Sequence, residues 1–221
     1  MAGRLLIGPS ILSADFLRLG QQLQDAENGG ADFIHVDVMD GRFVPNISIG
    51  IPILEAIRRG TPLPLDVHLM IVEPERWVER FALAGATTIT VHIEACAHPC
   101  ATLSAITDAG AVAGVALSPE TPLTLVEKLL PLAGQVLIMS VNPGFGGQPF
   151  LPSALERISR MRDMLRARNG RCRLEVDGGI GTSTISGIVR AGADAVVAGS
   201  AIYQPGKTVS AAIQALRTAA A

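Results

Sequence analysis

The chain is poor in lysine and cysteine, and each scarcity removes a class of function. Only two lysines, Lys128 and Lys207, stand among its 221 residues, and the formal net charge is -2. A surface with no basic excess lacks the electrostatic footprint of a nucleic-acid partner, so none is expected. The three cysteines, Cys96, Cys100 and Cys172, are odd in number and sparse, which argues against a disulfide framework. Cys96-Ala97-His98-Pro99-Cys100 fits no common zinc-finger spacing and has no second ligand pair nearby, so it reads as a surface loop. No apolar stretch is long enough to span a bilayer, and Met1 to Pro9 lacks the apolar core of a signal peptide; the expected setting is the cytoplasm. No linker interrupts the chain, so residues 1–221 are expected to fold as one domain.

What the chain does contain is a period of two. In Phe33-Ile34-His35-Val36-Asp37-Val38-Met39, Ile34, Val36 and Val38 point one way while His35, Asp37 and Met39 point the other, the mark of a strand with one polar face. Leu65 to Met70 and Leu174 to Asp177 repeat the pattern. Glycines recur between such segments at Gly30, Gly60, Gly85, Gly110, Gly134, Gly170 and Gly192, four of them in an alanine-rich context. Glycine just past a helix end accepts the left-handed conformation, so each is read as closing a helix and admitting a strand. Eight strands follow, near Leu5–Leu12, Phe33–Met39, Leu65–Met70, Ile89–Glu94, Val112–Leu117, Val136–Val141, Leu174–Asp177 and Ala195–Gly199. Strands joined by single helices run parallel, and eight such units predict a (βα)8 TIM barrel of the α/β class. A doubly wound open sheet has fewer strands and would not carry so many polar residues on central ones.

The expected helices follow suit. Asp15 is a plausible cap for Phe16, Leu19 and Leu23, Pro74 opens a helix whose Trp77, Phe81 and Ala84 belong to the core, and Leu155, Ile158, Met161 and Leu165 form a stripe. Arg157, Arg160, Arg162, Arg166 and Arg168 around that stripe read as a solvated face.

In a parallel barrel functional groups lie at the carboxyl ends of the strands. His35, Asp37, His68, Asp177 and Ser10 stand there, with His92 a third inward histidine. One such histidine alone would be an ordinary hydrogen-bonded core residue. Two histidines and two aspartates sharing a water-poor mouth need compensation, which a single divalent cation supplies most simply. Mixed imidazole and carboxylate donors suit zinc, iron, manganese or cobalt. Asp177-Gly178-Gly179 and Ala198-Gly199-Ser200 fall after the seventh and eighth strands, the usual phosphate site of this fold. Asn142-Pro143-Gly144-Phe145-Gly146-Gly147-Gln148 lies in the longest glycine interval and reads as a lid or anion loop. Met39, Met70 and Met139 end three strands and would roof the site. Neither lysine falls on a strand, so Schiff-base chemistry lacks its nucleophile; proton transfer by two carboxylates beside a Lewis acid remains.

These segments, Ser10 to Phe16, His35 to Asn46, Asp66 to Met70, Val141 to Gln148 and Glu175 to Gly179, closely resemble those of the ribulose-phosphate 3-epimerases, from about Ile7 to the last helix. Cys96 and Ser118 depart from that pattern, where a serine or threonine and an asparagine would be expected. The resemblance implies interconversion of D-ribulose 5-phosphate and D-xylulose 5-phosphate through a metal-stabilised 2,3-enediolate. It implies that His35, Asp37, His68 and Asp177 hold the metal and that Asp37 and Asp177 are the acid and base. It further implies that Ser10, His68, Gly144, Phe145, Gly146, Gly147, Asp177, Gly178, Gly179, Gly199 and Ser200 contact the sugar phosphate. Alternatives are an epimerase of a six-carbon ketose phosphate such as allulose 6-phosphate, a metal-dependent hydrolase, which would open on His-x-His where His35-Val36-Asp37 stands, and a non-catalytic sugar-phosphate sensor. Apolar rim residues lead to the expectation of a homo-oligomer.

Overall fold

Eight parallel strands form the interior of the molecule: β1 (Leu6–Pro9), β2 (Ile34–Met39), β3 (Leu65–Met70), β4 (Thr88–His92), β5 (Val112–Leu117), β6 (Gln135–Met139), β7 (Arg173–Asp177) and β8 (Ala195–Ala198). The computed structural model describes residues 4–168 and 172–221, so Gly170 lies outside it. The strands pair in sequence order from β2 to β8, β8 pairs with β1, and a parallel bridge between Ser10 and His35 joins β1 to β2, bringing the sheet round into a barrel. Among the described residues seven helices surround it: α1 (Leu19–Asn28), α2 (Ile51–Gly60), α3 (Val78–Leu83), α4 (Pro99–Asp108), α5 (Ala154–Arg166), α6 (Ile185–Ala191) and α7 (Val209–Ala220). Among the described residues no helix is long and apolar enough to cross a membrane.

Alternation along each strand divides the core in two. Ile34, Val36 and Val38 of β2 join Leu23 and Ala26 of α1 and Leu54 and Ile57 of α2 in the shell between sheet and helices. His35, Asp37 and Met39 turn inward instead. Both faces of the strands are covered along most of their length, as parallel strands require, with Val112 at the start of β5 exposed.

The four glycines in the alanine-rich context, Gly30, Gly85, Gly110 and Gly192, have φ of 81°, 106°, 87° and 106° and end their helices as expected. Gly60 closes α2 as its last residue but without a positive φ, whereas Gly134 follows a segment with no α-helix at all. The expected helix between β5 and β6 is a 3-10 turn, Leu123–Val126, entered from Pro122. The first strand also stops early, at Pro9, because Ser10 turns the chain by accepting from the Leu12 amide with its side chain (3.3 Å). The strand expected to reach Glu94 likewise ends at His92 and passes into a 3-10 turn.

Two expectations about side chains are corrected. Trp77 precedes α3 rather than sitting within it and is 38% exposed, with the Arg80 guanidinium near its ring, while Phe81 and Ala84 are buried; Phe16, in a 3-10 turn before α1, is likewise 44% exposed. The arginines of α5 are not a uniform solvated face. Arg157 donates to the Ser118 and Thr121 carbonyls (3.1 and 2.8 Å), and Arg162 to the Gly192 carbonyl (2.8 Å), so both fasten neighbouring units. Arg160, Arg166 and Arg168 stay exposed.

At the amino end of the barrel Phe33 fills the interior, with the Arg173 guanidinium 5.3 Å from its ring centroid. The ring passes so close to β1 that a Cβ on Gly8 would stand 2.0 Å from it. Gly8→Ala therefore forces Phe33 or the strand to shift, and should lower stability by about 1–3 kcal/mol, the usual cost of overpacking a core. The urea unfolding midpoint measures this. Adding Phe33→Leu should recover part of the loss, and an unchanged midpoint for Gly8→Ala would mean the interior is loosely packed there.

Candidate active site

The strand ends deliver four ionisable groups to one point. His35 and Asp37 come from β2, His68 from β3 and Asp177 from β7, and one donor atom from each lies within 4.8 Å of the others. Asp37 is the hub. Its Oδ1 is 3.2 Å from His35 Nε2 and 3.1 Å from His68 Nδ1, and its Oδ2 accepts from the Ser10 hydroxyl at 2.6 Å. Both imidazoles are fully buried.

Each group is also held from behind. Asp66, inward on β3 beside His35, accepts from His35 Nδ1 at 3.0 Å, which orients the ring with Nε2 towards Asp37. His68 Nε2 is 2.9 Å from His92 Nε2, and His92 Nδ1 is 3.1 Å from Glu94 Oε2. Ser48 donates to the Asp37 carbonyl (2.6 Å) and accepts from the Met39 amide (3.0 Å), fixing the end of β2. Ser140 holds the end of β7, its one hydroxyl proton shared between the carbonyls of Asp177 and Gly178 (2.8 and 2.6 Å).

A second carboxylate grouping, His35 with Asp66 and Glu175, lies deeper in the barrel. It is supplied with donors by the protein itself, since Gln135 Nε2 is 3.3 Å from Asp66 and 3.1 Å from Glu175. Burial and the adjacent Asp66 push the Glu175 carboxyl well above the usual carboxylate range.

The electrostatics distinguish the two aspartates at the mouth. Burial would raise the pKa of Asp37, but the charge and hydrogen bond of His35 outweigh it and hold the carboxyl well below its ordinary value. Burial and the negative Asp37 push Asp177 up to about 7. Burial lowers His35, yet Asp37 and Asp66 more than reverse this and raise it well above 6.5. Two carboxyls that differ in this way tend to keep one ionised and one protonated near neutrality.

Asp37 and Asp177 open onto the same pocket. Ser10, Met39, Met70, Met139, Gly144 to Gly147, Gly178, Gly179, Gly199 and Ser200 line it as well, so the sequence-derived residues meet here from both ends of the chain. His35 and His68 sit beneath the floor and contribute no surface to it. Gly178 and Gly179 have φ of 111° and 65°, and a Cβ on Gly179 would stand 2.4 Å from the Phe150 amide nitrogen; no side chain fits that corner. The cysteines take no part: Cys96 and Cys100 lie around the start of α4, and burial pushes the thiols of Cys96 and Cys172 up to about 12.

Reasoning from sequence did not single out Asp66, Glu94, Ser48 or Ser140. Asp66 shares the polar face of β3 with His68, so the period of two already carried that signal. The two serines lie outside any strand and reach the site only through backbone bonds, which no spacing reveals.

A family model described as the ribulose-phosphate 3 epimerase family matches residues 6–203. Ribulose-phosphate 3-epimerase of Synechocystis sp. is 52% identical over 205 residues, 92% of this chain and 89% of that protein. The Bacillus subtilis enzyme of the same name is 51% identical over 198 residues, 89% of this chain and 91% of its own. Among solved structures, KGPDC from Streptococcus mutans superposes with a TM-score of 0.76 over 99% of this chain and 98% of its own, at 15% identity, a likeness of fold alone.

The loop over the pocket is tied at two points. Gln148 closes it on itself by donating to the Asn142 and Phe145 carbonyls (2.7 and 2.8 Å), and Asn46, after β2, donates to the Gly144 carbonyl (2.8 Å). Asn46→Ala removes the second tie. Amide hydrogen exchange in residues 142–148 should then quicken by roughly 2- to 10-fold, the equivalent of one lost hydrogen bond, with the β6 amides unchanged. Equal exchange in the variant would show that Gln148 alone holds the loop.

Proposed function

We propose a mechanism from one premise: the chain belongs to the ribulose-phosphate 3-epimerase family. It is an isomerase that interconverts D-ribulose 5-phosphate and D-xylulose 5-phosphate by inverting C3. What we add is the division of labour among its residues.

His35, Asp37, His68 and Asp177 are the residues that would hold one divalent ion. Their fit is supported by the donor set, two imidazoles and two carboxylates with atoms within 4.8 Å of one another, and by the His35 ring being fixed by Asp66 with its second nitrogen directed inward. Such donors suit zinc, iron, manganese or cobalt. When bound, the ion supplies Lewis-acid stabilisation of the negative charge that arises on the substrate oxygens next to C3.

Inversion at C3 passes through a planar 2,3-enediolate, so a proton must leave one face and return to the other. Asp37 and Asp177 serve as the two groups, one ionised and accepting the C3 proton, the other protonated and donating to the opposite face. Their roles exchange in the reverse direction. Ser10, bonded to Asp37 Oδ2, orients that carboxylate. Met39, Met70 and Met139 keep water from the reacting carbons. The side-chain-free backbone at Gly178, Gly179 and Gly199, with Ser200 and the amides of 144–147, receives the phosphate.

The observation that carries this reading is that the carboxylates of β2 and β7, three strands apart round the ring, face a single pocket. Asp37→Asn and Asp177→Asn should each lower turnover by at least ~10²-fold, the loss expected for a general acid or base. Near-normal turnover in either would remove that residue from the chemistry. Running the reaction in heavy water should place deuterium at C3 of the product; product free of deuterium would exclude proton abstraction there.

A further inference from the structure

His92 and Glu94 have no part in the mechanism above, yet they extend its hydrogen bonding without a break. His68 Nε2 lies 2.9 Å from His92 Nε2, His92 Nδ1 lies 3.1 Å from Glu94 Oε2, and Glu94 Oε1 accepts from the Ser118 amide (2.8 Å) and the Thr121 hydroxyl. His92 is fully buried, with its ring stacked on His68 at 5.0 Å and covered by Phe43 at 4.7 Å.

Two imidazole nitrogens at that separation share one proton, because two N–H groups would clash and two lone pairs would repel. Glu94 decides which ring carries it. A carboxylate accepts only, so it keeps the His92 proton on Nδ1 and leaves His92 Nε2 as a lone pair. The shared proton then belongs to His68 Nε2. His68 Nδ1 is left as a lone pair 3.1 Å from Asp37 Oδ1, two acceptors face to face, an arrangement that a cation between them relieves.

We propose that Glu94 and His92 are positioning residues that hold His68 in the tautomer presenting Nδ1 to Asp37, and thereby set the affinity of the cluster for its divalent ion. This rests on the metal reading given above. It assigns to the end of the fourth strand and the 3-10 turn after it, which supply no ligand, control over one that the third strand supplies.

The test uses the full chain with cobalt(II) as probe, its affinity measured by chelator competition. His92→Phe keeps the ring volume and removes the acceptor; it should bind cobalt about 10- to 100-fold more weakly, as loss of an outer partner of a ligand does. His92→Gln returns an acceptor oxygen near the same point and should recover most of that loss, whereas Glu94→Gln, which keeps an acceptor without the charge, should fall between. Nitrogen-15 spectra of the zinc-loaded wild-type protein should show His92 protonated on Nδ1 and His68 on Nε2, a signature that a purely structural role for His92 would not impose. The opposite tautomer at His92, or wild-type cobalt affinity in His92→Phe, overturns the inference while leaving the metal site standing. A wild-type protein that binds no cobalt overturns the metal reading, and this inference with it.

Discussion

The constraint on which this structure turns is that a barrel interior has almost no water with which to solvate charge. Asp37, Asp66, Glu175, His35, His68 and His92 are all at most 3% exposed, yet none is isolated. A buried carboxylate without partners costs several kcal/mol, so each must be matched by donors or by opposite charge. The interior meets this with a continuous network. Arg173 donates to Gln135 (2.6 Å), Gln135 to Thr90, Asp66 and Glu175, Asp66 accepts from His35, and His35 and His68 converge on Asp37. Such a network is interdependent, because removal of one member strands its neighbour; Glu175 Oε2 alone among these carboxylate oxygens is buried without a hydrogen bond, in keeping with the raised pKa of that group.

Room for these side chains comes from positions that have none. At the amino end Gly8 lets Phe33 cross the barrel, and in the middle Gly114 lets the Thr90 hydroxyl approach to within 2.2 Å of where a Cβ would stand. That hydroxyl is the one Gln135 reaches at 3.1 Å. The gaps on β1 and β5 are therefore as much a part of the polar core as its acids and imidazoles. Close packing converts small residues on some strands into space for large polar ones on their neighbours.

Much of this was legible from the chain because strand alternation and helix-end glycine are local signals. The period of two in Ile34 to Met39 assigns His35 and Asp37 to the interior before any partner is known, and Gly30, Gly85, Gly110 and Gly192 mark the ends of helices through their own backbone preference. What escaped notice is non-local. The helix missing between β5 and β6 leaves no local mark, since Leu123, Leu125 and Leu129 suit a helix as well as the 3-10 turn that is found there. Arg157 and Arg162 look like their solvated neighbours until the carbonyls of the adjoining units are in place. Asp66 and Glu94 act through rings on other strands or on the strand just before, and a spacing cannot say which ring lies nearest.

The distribution of these ties also separates what is rigid from what can open. The strand ends that carry the two carboxylates are pinned by Ser48 and Ser140 through the backbone itself, so the carboxylates of β2 and β7 keep their separation regardless of what the loops above them do. The cover over the pocket is different: Phe145 is 54% exposed, and its loop is tied by the side-chain amides of Gln148 and Asn46. Opening such a loop costs a few modest hydrogen bonds, whereas displacing either carboxylate would strand buried charge. Entry and release of a sugar phosphate can therefore occur by movement above a floor that does not move. That floor is what an inversion requires, since the proton must return to the face opposite the one it left while the carbon stays between two fixed acids.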